Sequence, residues 1–487
     1  MALSWPLPDE EAGLIEFRTL VSGTSIMRKL GRSLAVAGSA VALAGVPLSA
    51  AQAQTPGDWP TYLSNNARTG SNSTETVVTP ASAPGLRQVW VRATGNAVSA
   101  EPIQVNGVVY YGSWDGNEYA VRAATGTKLW ATFLGQRTDT ACNPPTIGVA
   151  STATVGTMTV NGTLTVFVGG GDGNFYALNA STGAVIWKTP LATQLHGFLW
   201  SSPLFYRGSI YEGIASCGNS GVPGGIAQLS AVSGKIQHTL ITAPSSCLGA
   251  SVWSSPAVDT ATGDIYFATG NAGKCSSTEP LAMAVVEADK SLNVLSSWQL
   301  PADQQPTKDS DFGATPTLFT AKISGVVHKM VGLQNKNGVF YALDRTALSD
   351  GPLWQQRIAV GGNCPQCGTT DISPSAWDGH NLFVGGERTT IGGATCAGSI
   401  QELQPSTGNV AWADCLPSPV LGAVTAVPGV AFVGAGSTAY AVGTSTGAIL
   451  WRHKDTHSGS NFWGAATISN GHVYFGNQDG RLYAFGT

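Results

Sequence analysis

Two carboxylates one residue apart, Asp309 and Asp311, precede Phe312-Gly313, and a lysine stands in the stretch Gln334-Asn335-Lys336-Asn337-Gly338. A carboxylate can take a proton during a reaction, and a cation held away from water can stabilise developing negative charge. Two further residues have types suited to holding a ligand. Trp253, in Trp253-Ser254-Ser255-Pro256, offers a flat apolar surface, and Asn271, after Thr269-Gly270, offers a carbonyl oxygen of the kind hard cations take. Each also has a plain structural reading: a capped turn with solvated carboxylates, a solvated lysine, a Trp packed between sheets and an Asn filling a turn.

The chain has 8 cysteines. Cys364-Pro365-Gln366-Cys367 is followed by Gly368, where covalent haem attachment needs His, so that reading is excluded. Cys396 and Cys415 flank the middle strands of one repeat unit, and Cys217 lies in a loop neighbouring those of Cys247 and Cys275. Local disulfides are therefore expected, Cys217 with Cys247 or Cys275 among them, and a zinc site from the four later cysteines is the competing reading. Spacing alone does not fix the connectivity.

What must position these residues is a degenerate unit of roughly fifty residues that recurs along almost the whole chain. Its copies align on anchors at Pro102, Ala153, Pro203, Pro256, Pro316, Pro374, Val424 and Ala466. Each continues through apolar runs separated by turns such as Asp115-Gly116, Asp172-Gly173 and Asp479-Gly480, and many end in Thr-Gly followed by Trp, as at Thr182-Gly183 and Trp187. The pattern predicts four short strands per unit. A single such sheet cannot bury its faces, whereas eight of them packed around an axis can, so the fold class predicted is an all-β, eight-bladed propeller of four-stranded antiparallel blades. The last unit stops at Leu482-Tyr483-Ala484-Phe485, and residues 86–93, with Val89-Trp90-Val91, are expected to supply its missing outer strand and close the ring. The repeating Trp residues are expected to pack between blades.

Composition agrees: 61 of 487 residues are Gly and only 11% are charged, which suits tight turns and broad buried sheets. A formal net charge of -4, with no basic stripe, excludes a nucleic-acid-binding protein of the usual kind. Near the N-terminus, Arg28-Lys29 and Arg32 precede an apolar stretch at 34–48 and then Ala51-Gln52-Ala53. This pattern predicts a secretory signal cut after Ala53, with Met27 as an alternative start, and hence a periplasmic or secreted protein with no membrane span once the signal is removed. The expected organisation is a leader at 1–53, an N-terminal extension at 54–85 and one propeller domain at 86–487.

With Asp58-Trp59-Pro60 and Asn66-Ala67-Arg68-Thr69-Gly70 at one end and the repeats to the other, the chain resembles the pyrroloquinoline quinone (PQQ) dehydrogenase superfamily. Within it, the chain is most similar to the polyvinyl-alcohol-dehydrogenase-like branch. The resemblance implies that Trp253 is the floor under the planar quinone, that Asn271 and Asp311 lie at a calcium ion, and that Asp311 is the general base, with Asp309 next in line. It implies that Lys336 contacts the quinone oxygens and polarises the carbonyl that accepts hydride. The chain departs from the family at the metal: in Tyr211-Glu212-Gly213-Ile214-Ala215-Ser216-Cys217-Gly218-Asn219, the position of an expected Glu ligand falls on Gly218 or Asn219, and Glu212 faces elsewhere by the two-residue period of a strand. The adjacent cysteines that many members place near the quinone are also missing, with only Cys142 in that region.

Two functions follow as expectations. One is an exported PQQ-dependent oxidoreductase that converts a small or polymeric alcohol to a carbonyl compound and passes electrons to a separate acceptor such as a cytochrome c. The other is a propeller without catalysis, serving as a binding or assembly scaffold.

Overall fold

The computed structural model describes residues 57–487 except 141, 143, 161–162, 218–221, 245, 308 and 458. The expected signal segment, its cleavage after Ala53 and the alternative start at Met27 lie outside the described residues, as do Gly218 and Asn219.

Each sequence anchor stands immediately ahead of, or close to, an innermost strand. Pro102 precedes Ile103–Val105, Ala153 precedes Thr154–Val160, Pro203 precedes Leu204–Tyr206 and Pro256 precedes Ala257–Val258. The remaining four units begin at Thr317–Ile323, Ala376–Trp377, Thr425–Val427 and Thr467–Ser469. From each, the chain runs outward through antiparallel neighbours. In blade 1, for example, Ile103–Val105 pairs with Val108–Gly112, then Asn117–Arg122, then Lys128–Phe133. Inner strands are buried on both faces, whereas the outer strand of blade 1 is exposed apart from Trp130 and the half-buried Thr132. Eight such sheets form the propeller, and the described helical turns are all short 3-10 segments.

The ring closes as the repeat requires. Arg87–Ala93 pairs antiparallel with Arg481–Gly486, so the strand that begins the domain is the outer strand of blade 8. The innermost strands of blades 8 and 1 are in contact.

Neighbouring blades are stitched by the Thr-Gly and Trp residues. Trp130 on the outer strand of blade 1 donates its indole N–H to the Ala180 carbonyl of blade 2 at 2.9 Å, and its ring lies on Gly183. The same bond runs from Trp90 to Ala123, Trp187 to Ala231, Trp354 to Pro405, Trp412 to Thr444 and Trp451 to Leu86. Gly183 has φ +72°, and a Cβ there would lie 2.7 Å from the Trp130 ring. Glycine is thus required twice, by backbone conformation and by the ring above it.

Residues 57–72 cross one end of the ring and bond to every blade. Trp59 exchanges two backbone hydrogen bonds with Gln104 of blade 1. Val155, Val258, Leu318, Trp377 and Ala426, at the innermost strands of blades 2, 4, 5, 6 and 7, donate to the carbonyls of Pro60, Asn66, Ala67, Thr69 and Gly70. Asn66 and Asn72 donate from their side chains to Phe205 in blade 3 and Ile468 in blade 8. Arg68, fully buried, donates to the carbonyls of Tyr62, Ser202, Pro203 and Pro256 and to the Thr61 hydroxyl. Among the described residues, no helix is long and apolar enough to cross a membrane.

Candidate active site

Two adjoining cavities lie on the ring axis. The first, of about 300 Å³, is ringed by residues just ahead of the innermost strands, from Ser99 through Thr152, Ser202, Ser255 and Thr315 to Ala465, and Tyr62 of the N-terminal segment lies at it. The second, of about 570 Å³, shares Ile147, Trp200, Trp253, Ile372, Leu421 and Trp463 with the first. It adds Asn271, Asp309, Asp311 and Lys336, so all five residues singled out from the sequence, Trp253 included, line one cavity.

The strand Ile265–Ala268 of blade 4 ends at Thr269-Gly270-Asn271, and the segment between blades 4 and 5 brings Asp311 against this turn. A Cβ on Gly270 would lie 3.2 Å from the Asp311 carboxyl group, so glycine permits the approach. Asp311 Oδ1 accepts from the Asn271 backbone N–H at 2.7 Å and from its side-chain Nδ2 at 2.9 Å. The Phe312 N–H donates to the Thr269 carbonyl, which fixes the segment from the other side.

Lys336 extends from the turn after Val326–Asn335 in blade 5. Asn335 and Asn337 shape that turn by accepting from the backbone N–H groups of Asn337 and Val339. The Lys336 Nζ donates to Asp309 Oδ1 at 2.8 Å and to Asp311 Oδ2 at 2.9 Å, and lies 5.4 Å from the centroid of the Trp253 ring. Its side chain is only 7% exposed.

The charges follow from these contacts. Burial pushes the Asp311 carboxyl upward, but Lys336 and the two Asn271 donors outweigh it and hold the group below its ordinary range. Asp309, desolvated and facing the Asp311 charge, is pushed up to about 6. Burial opposes the Lys336 charge, yet the two carboxylates raise its pKa above the usual lysine value. At neutral pH the site holds an ionised base beside a fixed ammonium.

Asn271 presents its Nδ2 to both carboxylates, donating to Asp309 at 3.0 Å as well, while its Oδ1 accepts from the Gly273 N–H. The amide oxygen implied as a metal ligand therefore faces its own turn. Glu212 is fully buried in the middle of Ser209–Ser216 and does not line the cavity; Arg68 is the charge it senses.

The cysteine expectation needs correction. Cys217 pairs with Cys142, and Cys247 pairs with Cys275. The segment carrying Cys142 approaches the end of the strand Ser209–Ser216, so two loops 75 residues apart in sequence meet at the cavity, and this disulfide lines it. The zinc alternative also falls, because Cys364 pairs with Cys367 and Cys396 with Cys415. Trp200 and Trp463 line the cavity without having been singled out. Trp200 had a signal, since Trp200-Ser201-Ser202-Pro203 repeats the motif of Trp253 one blade earlier. Among the described residues, the indole N–H groups of Trp200, Trp253 and Trp463 have no protein acceptor, although Trp114 donates to Ser99 Oγ.

A family model, PQQ_2, described as outer membrane protein assembly factor BamB, matches residues 119–286 and 336–486, more than half of the chain. The chain is 25% identical over 432 residues to a polyvinylalcohol dehydrogenase of a Pseudomonas species, covering 77% of this chain and 64% of that protein, so it spans less than two thirds of that relative. It is 24% identical over 476 residues to the quinoprotein alcohol dehydrogenase PedH of Pseudomonas putida, covering 82% of this chain and 75% of that protein. Among solved structures, the quinohemoprotein alcohol dehydrogenase of Comamonas testosteroni superposes with a TM-score of 0.68 at 18% identity, over 89% of this chain and 81% of that one. At that identity the superposition speaks to the fold.

Proposed function

The chain belongs to the PQQ_2 family, and on that footing we propose that it is an exported quinoprotein alcohol dehydrogenase, oxidising an alcohol to a carbonyl compound. One observation carries the proposal: a half-buried Trp platform, an ionised buried carboxylate and a buried ammonium converge on one axial cavity. The residues fit a flat, oxygen-rich anionic ligand. Trp253 would support its plane, Lys336 supplies positive charge beside that ring, and the three unmatched indole N–H groups are donors for its oxygens. The chemistry bound pyrroloquinoline quinone supplies is a two-electron oxidation, taking hydrogen with its electron pair from the alcohol carbon.

Asp311 takes the hydroxyl proton. Its Oδ2 faces Lys336 and its Oδ1 faces Asn271, so it is anchored on both oxygens and kept ionised, and a substrate hydroxyl reaches it by displacing one of those donors. Lys336 holds its proton throughout. Polyvinyl alcohol and simple alcohols are the first substrates to try, because one relative is named a polyvinylalcohol dehydrogenase and another an alcohol dehydrogenase. The Cys-x-x-Cys of this chain lacks the haem-binding His, and the electron acceptor proposed is a separate protein such as a cytochrome c.

The test is reconstitution of the purified protein with quinone, followed by dye reduction with secondary alcohols and polyvinyl alcohol. Asp311→Asn is expected to lower turnover by roughly 10²–10⁴-fold with quinone affinity little changed; unchanged turnover removes Asp311 as base. Absence of both quinone binding and dye reduction would favour the alternative of a propeller without catalysis, serving as a binding or assembly scaffold; the family description names an assembly factor.

A further inference from the structure

We infer that the fixed cation of this cavity is the Lys336 ammonium itself, and that the site holds its quinone without a calcium or lanthanide ion. The inference builds on the quinone reading of the same cavity and departs from the calcium that the sequence resemblance implies.

The donor set is the first argument. Calcium takes about 6–8 oxygens, with several carboxylates where affinity is high. Among the described residues lining the cavity, only Asp309 and Asp311 are acidic. The position where a third carboxylate is expected holds Gly218 or Asn219, and Glu212 is buried away from the cavity.

The oxygens that remain are already engaged. Asp311 Oδ1 takes two N–H groups of Asn271, Asp311 Oδ2 takes Lys336, and Asp309 Oδ1 takes both Lys336 and the Asn271 amide. Asp309 Oδ2 is the one carboxylate oxygen of the pair with no donor among the described residues. The orientation of Asn271 agrees with this. Two carboxylates call for donors, so the NH2 faces them, whereas a metal ion would call for the amide oxygen.

Charge is the third argument. Lys336 bridges the two carboxylates at 2.8 and 2.9 Å with its side chain almost wholly buried, so one of the two negative charges is already neutralised at contact distance. A divalent ion entering between them would meet the ammonium in a site with little water to screen the repulsion. Evicting Lys336 would in turn strip the buried ammonium of both partners.

The metal part is tested on the protein without quinone. After removal of divalent ions, terbium is titrated in and its emission sensitised by tryptophan is read, since Trp253 borders the proposed cation position. Wild type is expected to give no more emission than Asp311→Asn, any shared background coming from sites elsewhere. Lys336→Met, which leaves the carboxylates without their counter-charge, is expected to gain emission, and adding Asp309→Asn to it should remove the gain. Wild-type emission that Asp311→Asn abolishes would overturn the inference.

A second measurement needs no variant. Quinone affinity of the wild-type protein, read by quenching of tryptophan fluorescence, is expected to change by less than about fivefold between chelator and about 1 mM calcium or lanthanum. A larger tightening by either ion overturns the inference and leaves the quinone reading standing. If no quinone binds under any condition, the quinone reading fails while the terbium result still decides what the carboxylates bind.

Discussion

Asp309 and Asp311 carry the same side chain one residue apart, yet the fold drives them in opposite directions. Asp311 is the more buried, but every oxygen it has meets a donor, so it stays ionised. Asp309 is 39% exposed, yet partial burial, and after it the field of the Asp311 charge, push its carboxyl group up to about 6. The sequence pattern Asp-Ser-Asp marks both positions but cannot say which one receives the Asn271 donors. Asp371, away from the proton-transfer pair, offers a pH test of the same physics. Its Oδ2 accepts from Gln334, its Oδ1 has no donor, and burial raises its pKa from 3.8 to about 7. A carboxyl group whose pKa rises on folding binds protons more tightly in the fold, so its ionisation destabilises the fold above about pH 7 and ceases to do so as pH falls towards its unfolded value. Asp371→Asn keeps an acceptor for Gln334 and never ionises. It is expected to melt above wild type at about pH 8 and to lose that advantage by about pH 4. Equal melting at the higher pH, or a gap that widens on acidification, would count against this account.

At the scale of elements, the strands and their order were legible because the chain repeats them. One copy of Thr-Gly followed by Trp says little, but many copies fix the turn, the outer strand and the ring that covers the next turn. The missing strand of the last blade was legible for the same reason. The Cys142–Cys217 bridge was not, because pairing across 75 residues depends on how two loops fold over the cavity mouth, and loops carry no period. Nor was the path of residues 57–72, whose hydrogen bonds are made largely by backbone groups that any sequence offers. The stitch between blades can be tested by separating its two demands on glycine. Gly183 and Gly208 have similar backbone conformations, φ +72° and +80°, but a Cβ at Gly183 meets the Trp130 ring at 2.7 Å whereas one at Gly208 meets nothing within 4 Å. Gly208→Ala should therefore cost only the backbone strain, about 1–2 kcal/mol. Gly183→Ala adds the displacement of a packed ring and should cost about 2–4 kcal/mol in denaturant unfolding. Equal costs would mean that the indole ring yields freely and is no stitch.

For the molecule as a whole, the N-terminal segment ties the ring together and borders one end of the axial cavities. Each blade contributes hydrogen bonds to residues 57–72, so this one stretch couples units that otherwise touch only their neighbours. Tyr62, on the same stretch, lies at the first axial cavity, and the second cavity, with Asp311 and Lys336, adjoins the first through the shared tryptophans. On the function proposed above, an alcohol would enter the second cavity from the end away from Tyr62, and a polymeric alcohol would present a segment there instead of threading the ring. Arg68 is the centre of the closure. It is fully buried, burial pulls its pKa down to about 10, and its guanidinium meets carbonyls from the segment itself and from the approaches to blades 3 and 4. Replacing it with Met keeps much of the volume but leaves those carbonyls without donors and removes the positive charge nearest to the buried Glu101 and Glu212. Leaving a buried carbonyl without its donor costs about 1–3 kcal/mol. Arg68→Met is expected to lower the guanidinium midpoint of the whole propeller in a single transition, because the segment joins every blade. Once folded, it should retain quinone affinity, since Arg68 does not line the cavity. A change below about 1 kcal/mol, or a separate early transition confined to blades 3 and 4, would show that the segment lies on the ring without coupling its blades.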